Sequence, residues 1–278
     1  MTNPANPLAN LDGAIVLAGA GKMGGAMLEG WLAQGVAASS IAVIEPSPSD
    51  DIRRHEAQGL RVNPARKDLD EVAALILAVK PQMFGDAAPQ LKSFVAPSTL
   101  VMSIMAGAPI AAIARACGGR VIRAMPNTPA AIGRGVTVAV AAPDVTQQQR
   151  GIADALLRTT GIVEWIDDEG LMDAVTAVSG SGPAYVFLLA EELARAGVAA
   201  GLPPALATRL ARETISGAGE LPHRSDLDSA VSAFQGGAFE YLPKPFDLPK
   251  AVELIHRAVE ESQREEVAEQ QQAAMPEM

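Results

Sequence analysis

Short apolar runs alternate with helical stretches along the first 166 residues, and this rhythm predicts a parallel β-sheet with helices between its strands. The first run, Ala14 to Ala18, is apolar at every position, which is typical of a strand buried on both faces. A helix from about Lys22 to Gln34 follows it. The later predicted strands are Ile41 to Glu45, Leu75 to Val79, Leu100 to Ile104, Arg120 to Ala124, Val136 to Val140 and Ile162 to Ile166.

From Asp167 to Gly219 no strand pattern is present and helices dominate. We expect helices over roughly Asp168 to Val178, Pro183 to Ala200 and Pro203 to Gly219. The pattern therefore predicts an α/β fold, in which residues 1–165 form a Rossmann-type, mainly parallel sheet and residues 166–227 form a C-terminal helical segment.

Three glycines at G-x-G-x-x-G spacing follow the first strand: Gly19, Gly21 and Gly24. Between a strand and a helix, the first glycine permits a tight turn, the second lets the backbone approach a pyrophosphate, and the third allows the helix to pack against the strand. Amides at the start of the helix then point at the phosphates. A glycine-rich turn without a ligand is the alternative, but the flanking strand and helix favour a dinucleotide site.

The residues after the second predicted strand bear on which dinucleotide binds. Glu45 ends that strand about 20 residues beyond the glycines, where a carboxylate can bind a ribose 2′-hydroxyl, and this indicates NAD. Residues 46–49, with Arg53 and Arg54 close by, offer hydroxyls and guanidinium groups that could hold a 2′-phosphate. Both cofactors stay open, with NADP slightly favoured.

Three further loops, residues 80–82, 105–107 and 125–129, each follow a predicted strand. Ligands of open α/β sheets bind beyond the carboxyl ends of the strands, so we expect these loops to line one crevice with the glycine turn. Asn127 and Thr128 are the best polar candidates there. Lys80 is a candidate acid, although a lysine at a strand end more often contacts an anion or stays solvated.

A run of small residues, Ser179 to Gly182 before Pro183, joins the first two predicted helices. Proline at the first helical position favours a helix start, and the small residues leave free amides and hydroxyls able to receive a carboxylate. A plain helix cap and a substrate site are about equally favoured here.

Composition narrows the choice of function. A net charge of −10 argues against a nucleic-acid surface. No apolar run approaches the roughly 20 residues that span a bilayer, and the N-terminus lacks the features of a signal peptide, so we expect a cytoplasmic protein without a membrane partner. The one cysteine, Cys117, lies among apolar residues and is expected to be a buried thiol. No metal is expected, because no His/Cys cluster has ligand spacing.

The histidines, His55, His223 and His256, lie away from all the candidate loops. Hydride transfer to a carbonyl usually needs a positioned proton donor, whereas an imine nitrogen can enter the site already protonated. The lack of an obvious general acid in these loops therefore favours reduction of a C=N bond.

Five motifs, in this order and spacing, resemble those of pyrroline-5-carboxylate reductase: GAGKMGGAM, LAVKPQ, SIMAG, RAMPNTPAAIGRG and AVSGSGPAYVF. The resemblance covers roughly residues 10–227. It implies NAD(P)H-dependent reduction of the small cyclic imine 1-pyrroline-5-carboxylate to L-proline, the last step of proline biosynthesis. It also implies a Rossmann domain and a helical domain that interlocks with a partner subunit in a homodimer or larger homo-oligomer. The SGSGPAY string disfavours another Rossmann reductase, such as a β-hydroxyacid dehydrogenase.

The resemblance also implies roles for individual residues. Cofactor contacts are implied for Gly19, Gly21, Lys22, Met23, Gly24, Ser47, Ala78, Val79, Lys80, Pro81, Asn127 and Pro129. Contacts with the substrate carboxylate are implied for Ser179, Gly180, Ser181 and Gly182. We expect Lys80, Asn127 and Ser181 to act in catalysis. In the family, orientation of the imine against the nicotinamide provides most of the effect, which is a proximity argument.

The resemblance breaks near residue 227, after which the Thr-Ser-Pro-Gly-Gly-Thr-Thr loop expected of the family is missing. Residues 226–272 instead resemble the last helix, strand and helix of a nitrogen-regulation response-regulator receiver domain. Lys244, between two prolines, is similar to the receiver lysine, but no upstream segment supplies the acidic cluster it would need. We therefore expect a chimera with a grafted tail in residues 228–278, a reduced subunit interface and impaired activity. A non-catalytic signalling or interaction module is the alternative function.

Overall fold

The computed structural model describes Leu8 and residues 11–220. The receiver-like tail predicted for residues 228–278, with Lys244, lies outside these residues. Within the described part, no helix is both long enough and apolar enough to cross a membrane.

The described chain forms a βα succession with a helical end. The strands are β1 (Ala14–Ala18), β2 (Ile41–Ile44), β3 (Arg61–Val62), β4 (Val72–Leu77), β5 (Leu100–Ser103), β6 (Arg120–Met125), β7 (Gly135–Ala141) and β8 (Gly161–Trp165). The α-helices are α1 (Lys22–Ala33), α2 (Asp50–Glu56), α3 (Phe84–Lys92), α4 (Ile110–Cys117), α5 (Gln147–Arg158), α6 (Met172–Val175), α7 (Gly182–Ala199) and α8 (Pro204–Glu220). A π-helix, Thr176–Gly180, connects α6 to α7. Short 3-10 turns occupy Ala38–Ser40, Arg66–Asp68, Pro81–Met83, Thr128–Ile132 and Glu169–Leu171.

The strands form one eight-stranded sheet in the order β3-β2-β1-β4-β5-β6-β7-β8. Its first six positions follow the strand order of a Rossmann fold, so the predicted fold class is confirmed for this part of the chain. The prediction missed β3, whose two residues are too short to show an apolar run.

The sequence pattern predicts that β6 and β7 are parallel. This prediction is wrong, because the two strands run antiparallel. Parallel neighbours need a crossover of about a dozen residues or more, and the connection here, residues 126–134, is shorter than that. The other neighbouring strand pairs of the sheet are parallel.

The core lies on both faces of the sheet. Alternate residues of β1 face opposite sides, so Leu17 packs in one cluster with residues of α1 and α5, and Val16 packs in the other with residues of α3 and α4. Trp31 of α1 is fully buried, and its indole N–H donates to the Leu156 carbonyl of α5 at 3.0 Å. Cys117 is buried in the second cluster, as predicted, and burial raises the pKa of its thiol.

The prediction of a regular α-helix over Asp168 to Val178 is wrong. This segment is a 3-10 turn, then one turn of α6, then the π-helix. The hydroxyls of Thr176 and Ser179 donate to carbonyls four residues earlier, at 2.8 and 3.1 Å. Such side-chain bonds compete with the backbone ladder, and the amide of Ser181 donates to the Thr176 carbonyl, five residues back, at 2.8 Å.

Contacts divide the chain into two compact units that meet in sequence at Pro183 and Ala184. Residues 166–183 thus cluster with the sheet. In the second unit the described residues form α8 and most of α7. The predicted domain division into 1–165, 166–227 and 228–278 stays a prediction.

Candidate active site

The carboxyl ends of four neighbouring strands carry most of the residues predicted to form the site. β1, β4, β5 and β6 are adjacent and parallel, so the segments that follow them emerge at one edge of the sheet. The direction of strand succession reverses between β1 and β4, and doubly wound sheets bind ligands at this point. The structure therefore brings residues 80–82, 105–107 and 125–129 to the same edge as the glycine turn, as the sequence predicts.

Close packing requires two of the three motif glycines. Gly19 has a φ of +91°, and a Cβ there would lie 2.6 Å from the carbonyl oxygen of Ala78. A Cβ on Gly24 would lie 2.1 Å from the carbonyl oxygen of Gly19. Both obstacles are backbone atoms, which cannot move aside as the end of a side chain can.

Gly21 differs from the other two, because a Cβ on it would meet nothing within 4 Å. It is the N-cap residue of α1, and its position carries no side-chain capping hydrogen bond. Lys22, the first residue of α1, is exposed, and Met23 is half-buried. Open space in front of an uncapped helix start fits a dinucleotide pyrophosphate, which helix amides can bind.

The ribose side of this turn is organised by Glu45. One carboxylate oxygen, Oε2, accepts from the amide of Ala20 at 2.9 Å, and the other, Oε1, accepts from the amide of Ser47 at 3.1 Å. The side chain of Asn63 bonds to both backbone groups of Glu45, accepting from its amide and donating to its carbonyl, each at 2.9 Å. Sequence reasoning found Glu45 and Ser47 but missed Asn63, which lies just beyond the unpredicted strand β3.

The segment after β4 borders the glycine turn. The amide of Ala78 donates to the carbonyl of Ala18 at 2.8 Å, which holds this segment beside the end of β1. Val79 is half-buried, whereas Lys80 and Pro81 are exposed where the 3-10 turn Pro81–Met83 begins. This placement gives the Lys80 ammonium access to solvent and to an anionic ligand at this edge.

Asn127 is buried, with 9 % of its surface exposed. Its Oδ1 accepts from the amide of Val136, the second residue of β7, at 2.9 Å. The side chain therefore fixes the return of the chain from β6 to β7. Pro129 and Thr128 lie in the 3-10 turn that Asn127 starts.

The run Ser179 to Gly182 lies against the end of β6. A Cβ on Gly180 would be 2.6 Å from Cε of Met125, the last residue of that strand. The expectation of free polar groups in this run is wrong for two of them, because the Ser179 hydroxyl donates to the Val175 carbonyl and the Ser181 amide donates to the Thr176 carbonyl. Ser179 and Gly180 are the last two residues of the π-helix, and this geometry satisfies those donors.

An ion pair that sequence reasoning missed supports this part of the site. Arg123 of β6 is buried, and its Nη1 donates to Oε1 of Glu169 at 3.0 Å. The same oxygen accepts from the amide of Ile110, the first residue of α4, at 2.8 Å. Glu169 thus ties β6 and α4 to the turn that leads into the π-helix. No local pattern pairs residues 46 positions apart, so the sequence carries no signal for this contact.

Two family profiles match the chain. Residues 169–267 match the profile for pyrroline-5-carboxylate reductase dimerisation, and residues 14–107 match the profile for NADP oxidoreductase, coenzyme F420-dependent. The chain is 34 % identical to the pyrroline-5-carboxylate reductase of Pseudomonas aeruginosa over 249 residues, which covers 82 % of this chain and 90 % of that protein. It is 41 % identical to that of Synechocystis sp. over 205 residues, covering 71 % of this chain and 76 % of that protein.

Solved structures agree with these sequence matches. A pyrroline-5-carboxylate reductase from Coxiella burnetii is similar with a TM-score of 0.72 at 28 % identity, over 94 % of this chain and 96 % of that one. A 1-pyrroline-5-carboxylate reductase from Streptococcus pyogenes is similar with a TM-score of 0.68 at 25 % identity, over 90 % of this chain and 95 % of that one.

The dimerisation match extends over most of the segment that was predicted to be grafted. The expectation that the subunit interface is reduced therefore finds no support in the comparisons. The identity to curated relatives extends over most of the chain, and the sheet, the glycine turn and the Ser179 to Gly182 run meet at one edge. The chain belongs to the pyrroline-5-carboxylate reductase family.

Proposed function

We propose that this chain reduces 1-pyrroline-5-carboxylate to L-proline with NADPH or NADH, as the last step of proline biosynthesis. The observation that carries the proposal is the meeting of the motif segments at the switch point of the sheet. There the glycine turn lies against Ala78, and Gly180 lies against Met125. A family whose curated members are named for this reaction supplies the substrate.

The cofactor is assigned to the carboxyl ends of the strands. Gly19, Gly21, Lys22, Met23 and Gly24 would hold its pyrophosphate, and Ser47 would contact its adenosine ribose. The residues that would hold the nicotinamide end are Ala78, Val79, Lys80, Pro81, Asn127 and Pro129. When bound, the reduced nicotinamide supplies the hydride.

The substrate is assigned to the run Ser179 to Gly182. Lys80 and Ser181 orient the imine and its carboxylate, and Asn127 acts by holding the β6–β7 connection, since its Oδ1 bonds to Val136. These residues bind and position, so the rate gain comes from holding the imine carbon against the nicotinamide. A pre-protonated imine needs no general acid for hydride transfer, which agrees with a site whose polar groups mainly orient.

The test is oxidation of NADPH and of NADH at 340 nm with pyrroline-5-carboxylate. We expect turnover by the full chain, and a Ser181→Ala variant should show a KM for the imine raised about tenfold, the loss expected for one hydrogen bond to a charged group. Ser93→Ala is the control, because Ser93 is exposed and its hydroxyl bonds only locally, to the Gln90 carbonyl. If the full chain turned over the imine with neither NADPH nor NADH, the proposed reaction would be refuted.

A homodimer or larger homo-oligomer is part of the same proposal. It is supported by the dimerisation match and by the exposed apolar side chains of α7, where Tyr185, Phe187 and Leu188 are 62 %, 65 % and 37 % exposed. Exposed apolar patches of this kind mark contact surfaces. Light scattering of the purified chain should give a mass of two subunits or more.

The receiver-like origin of residues 226–272 is retained as a proposal that rests on the sequence alone, as is a cytoplasmic location. The dimerisation match up to residue 267 favours a role in subunit contact for the same residues. A variant that ends at Leu227 distinguishes a grafted tail from a dimerisation segment. A grafted tail is dispensable for oligomer mass and for NAD(P)H oxidation, whereas a dimerisation segment is not.

A further inference from the structure

The ribose side of the site contains an arrangement that bears on which nicotinamide cofactor binds. Glu45 follows β2, the strand beside β1, and its carboxylate accepts from the amides of Ala20 and Ser47 at 2.9 and 3.1 Å. It thereby joins the glycine turn to the segment predicted to meet the adenosine ribose. A carboxylate at the end of this strand is suited to accept a hydrogen bond from a ribose 2′-hydroxyl.

Asn63 holds Glu45 in this position. Its amide side chain bonds to the amide and the carbonyl of Glu45, each at 2.9 Å, and its own amide donates to the carbonyl of Val43 at 2.7 Å. Asn63 has a φ of +50°, and it is the one non-glycine residue with positive φ in the part of the chain that the structure describes. Asparagine tolerates this left-handed conformation better than most residues. The strained backbone thus serves to aim the side chain at Glu45.

Two of the groups that the sequence offered to a 2′-phosphate, Arg54 and the Ser49 hydroxyl, have partners within α2 or at its start. The guanidinium of Arg54 pairs with the carboxylate of Asp51. The Ser49 hydroxyl caps α2 by accepting from the amide of Ile52 at 3.4 Å. The first turn of α2 also carries two carboxylates, from Asp50 and Asp51, so added positive charge from Arg53 and Arg54 is largely balanced.

We propose that Glu45, positioned by Asn63, makes this chain prefer NADH to NADPH. A 2′-phosphate brings nearly two negative charges toward the carboxylate and competes for the amide of Ser47, whereas a 2′-hydroxyl donates to the carboxylate and displaces nothing. This inference rests on the proposed function, because it concerns the cofactor of that reaction. Glu45 is a specificity residue, and Asn63 is a positioning residue that acts through it.

Calorimetric titration of the full chain with NAD⁺ and with NADP⁺ tests the proposal without relying on activity. We expect NAD⁺ to bind at least about tenfold more tightly than NADP⁺, the scale of a like-charge repulsion near a protein surface. Glu45→Ser should tighten NADP⁺ binding by about tenfold and weaken NAD⁺ binding. Glu45→Gln keeps the shape of the side chain and one oxygen acceptor, and it should also reduce the preference for NAD⁺ over NADP⁺.

Two further variants separate specificity from structure. Asn63→Gly suits the positive φ but removes both side-chain bonds to Glu45. The ratio of the NADP⁺ dissociation constant to the NAD⁺ dissociation constant should therefore fall, while NAD⁺ still binds. If Asn63 had only a structural role, the substitution would weaken the binding of NAD⁺ and of NADP⁺ equally. Glu164→Gln, which removes an exposed carboxylate from β8, should leave the ratio unchanged.

The outcomes distinguish the two proposals. Equal or tighter binding of NADP⁺ by the unmodified chain would overturn the role of Glu45 and leave the reductase intact. Weaker binding of both cofactors by Glu45→Gln, with no change in their ratio, would also overturn it. Binding of neither dinucleotide would overturn the specificity proposal together with the proposed function.

Discussion

Two glycine-bearing segments, residues 19–24 and 179–182, approach the same edge of the sheet by different means. In the first, a Cβ on Gly19 or Gly24 would collide with backbone carbonyls, at 2.6 and 2.1 Å. In the second, a Cβ on Gly180 would lie 2.6 Å from Cε of Met125 and at ordinary contact distance from the Thr176 side chain, and one on Gly182 would meet nothing within 4 Å. The first segment is fixed by the sheet itself, whereas the second is set against a flexible side chain.

The difference suits what each segment is proposed to bind. A pyrophosphate needs backbone amides in one fixed arrangement, and strands at the centre of a sheet provide it. The second segment ends a π-helix, and π-helical turns occur often at functional positions. The comparison thus predicts that substitutions in the first segment act on folding and cofactor binding, and those in the second on the substrate.

The largest effect is expected from Gly24→Ala. Its Cβ would lie 2.1 Å from the carbonyl oxygen of Gly19, so α1 must shift away from the strand, at a cost of about 3 kcal/mol in the free energy of unfolding. Denaturant unfolding and dinucleotide titration measure the two consequences. The neighbouring Gly25→Ala is the matched control, since its nearest contact is an ordinary 3.6 Å and alanine favours the helix. Equal free energies of unfolding and equal dinucleotide binding in the two variants would contradict the steric requirement for glycine at position 24.

Glu169→Ala should have the next largest effect. It leaves the guanidinium of Arg123 buried without its carboxylate and frees the amide of Ile110, which should lower the free energy of unfolding by about 2 kcal/mol. Because Glu169 precedes the π-helix, the KM for the imine should rise as well. Glu192→Ala removes a carboxylate from an ion pair with an exposed arginine, and is expected to cost less than about 1 kcal/mol. A stability loss without any change in KM would separate Glu169 from the site.

Gly180→Ala should be milder, at about 1 kcal/mol, because Cε of Met125 can rotate away. The expected result is a higher KM for the imine with dinucleotide binding unchanged. The paired variant Gly180→Ala with Met125→Ala should recover the KM, since it removes the contacting atom. Gly151→Ala serves as control, because Gly151 lies in α5, is not assigned to the site, and its Cβ meets open space. Weakened dinucleotide binding by Gly180→Ala would contradict the assignment of the two segments.

The smallest effect concerns α1, the helix that follows the first segment, and its tie to α2. His55 bonds to Glu29 at 2.7 Å and to Gln58 at 3.3 Å, and the bond to Glu29 raises the pKa of His55, while burial and Arg54 oppose the rise. A raised folded-state pKa contributes stability that is present below the ordinary histidine value near 6.5 and is lost as the pH rises through the folded value.

Relative to His55→Gln, the unmodified chain should therefore be more stable by about 0.5 kcal/mol at about pH 5.5, and the difference should vanish by about pH 8.5. Thermal unfolding of the two proteins at the two pH values measures this. Glu29→Gln should abolish the same difference. An advantage that grows toward high pH would refute the ion pair as its source.

Local patterns predicted much of the sheet. The runs that became β1, β2 and β5 are short and mainly apolar, and burial on both faces requires that composition. The glycine spacing predicted the turn after β1, because Gly19 and Gly24 meet steric demands that only glycine satisfies. The apolar neighbours of Cys117 likewise predicted its buried thiol.

The sequence by itself determined the Rossmann sheet, the glycine turn and the family, because each depends on residues close together along the chain. Only the tertiary structure decided the antiparallel β7, the π-helix before Ser181 and the partners of Glu45, Asn63 and Glu169. These features depend on loop length, on competition for carbonyl groups and on side chains that meet across different strands. Their energies arise from contacts between distant segments, and a local pattern does not encode which segments will meet.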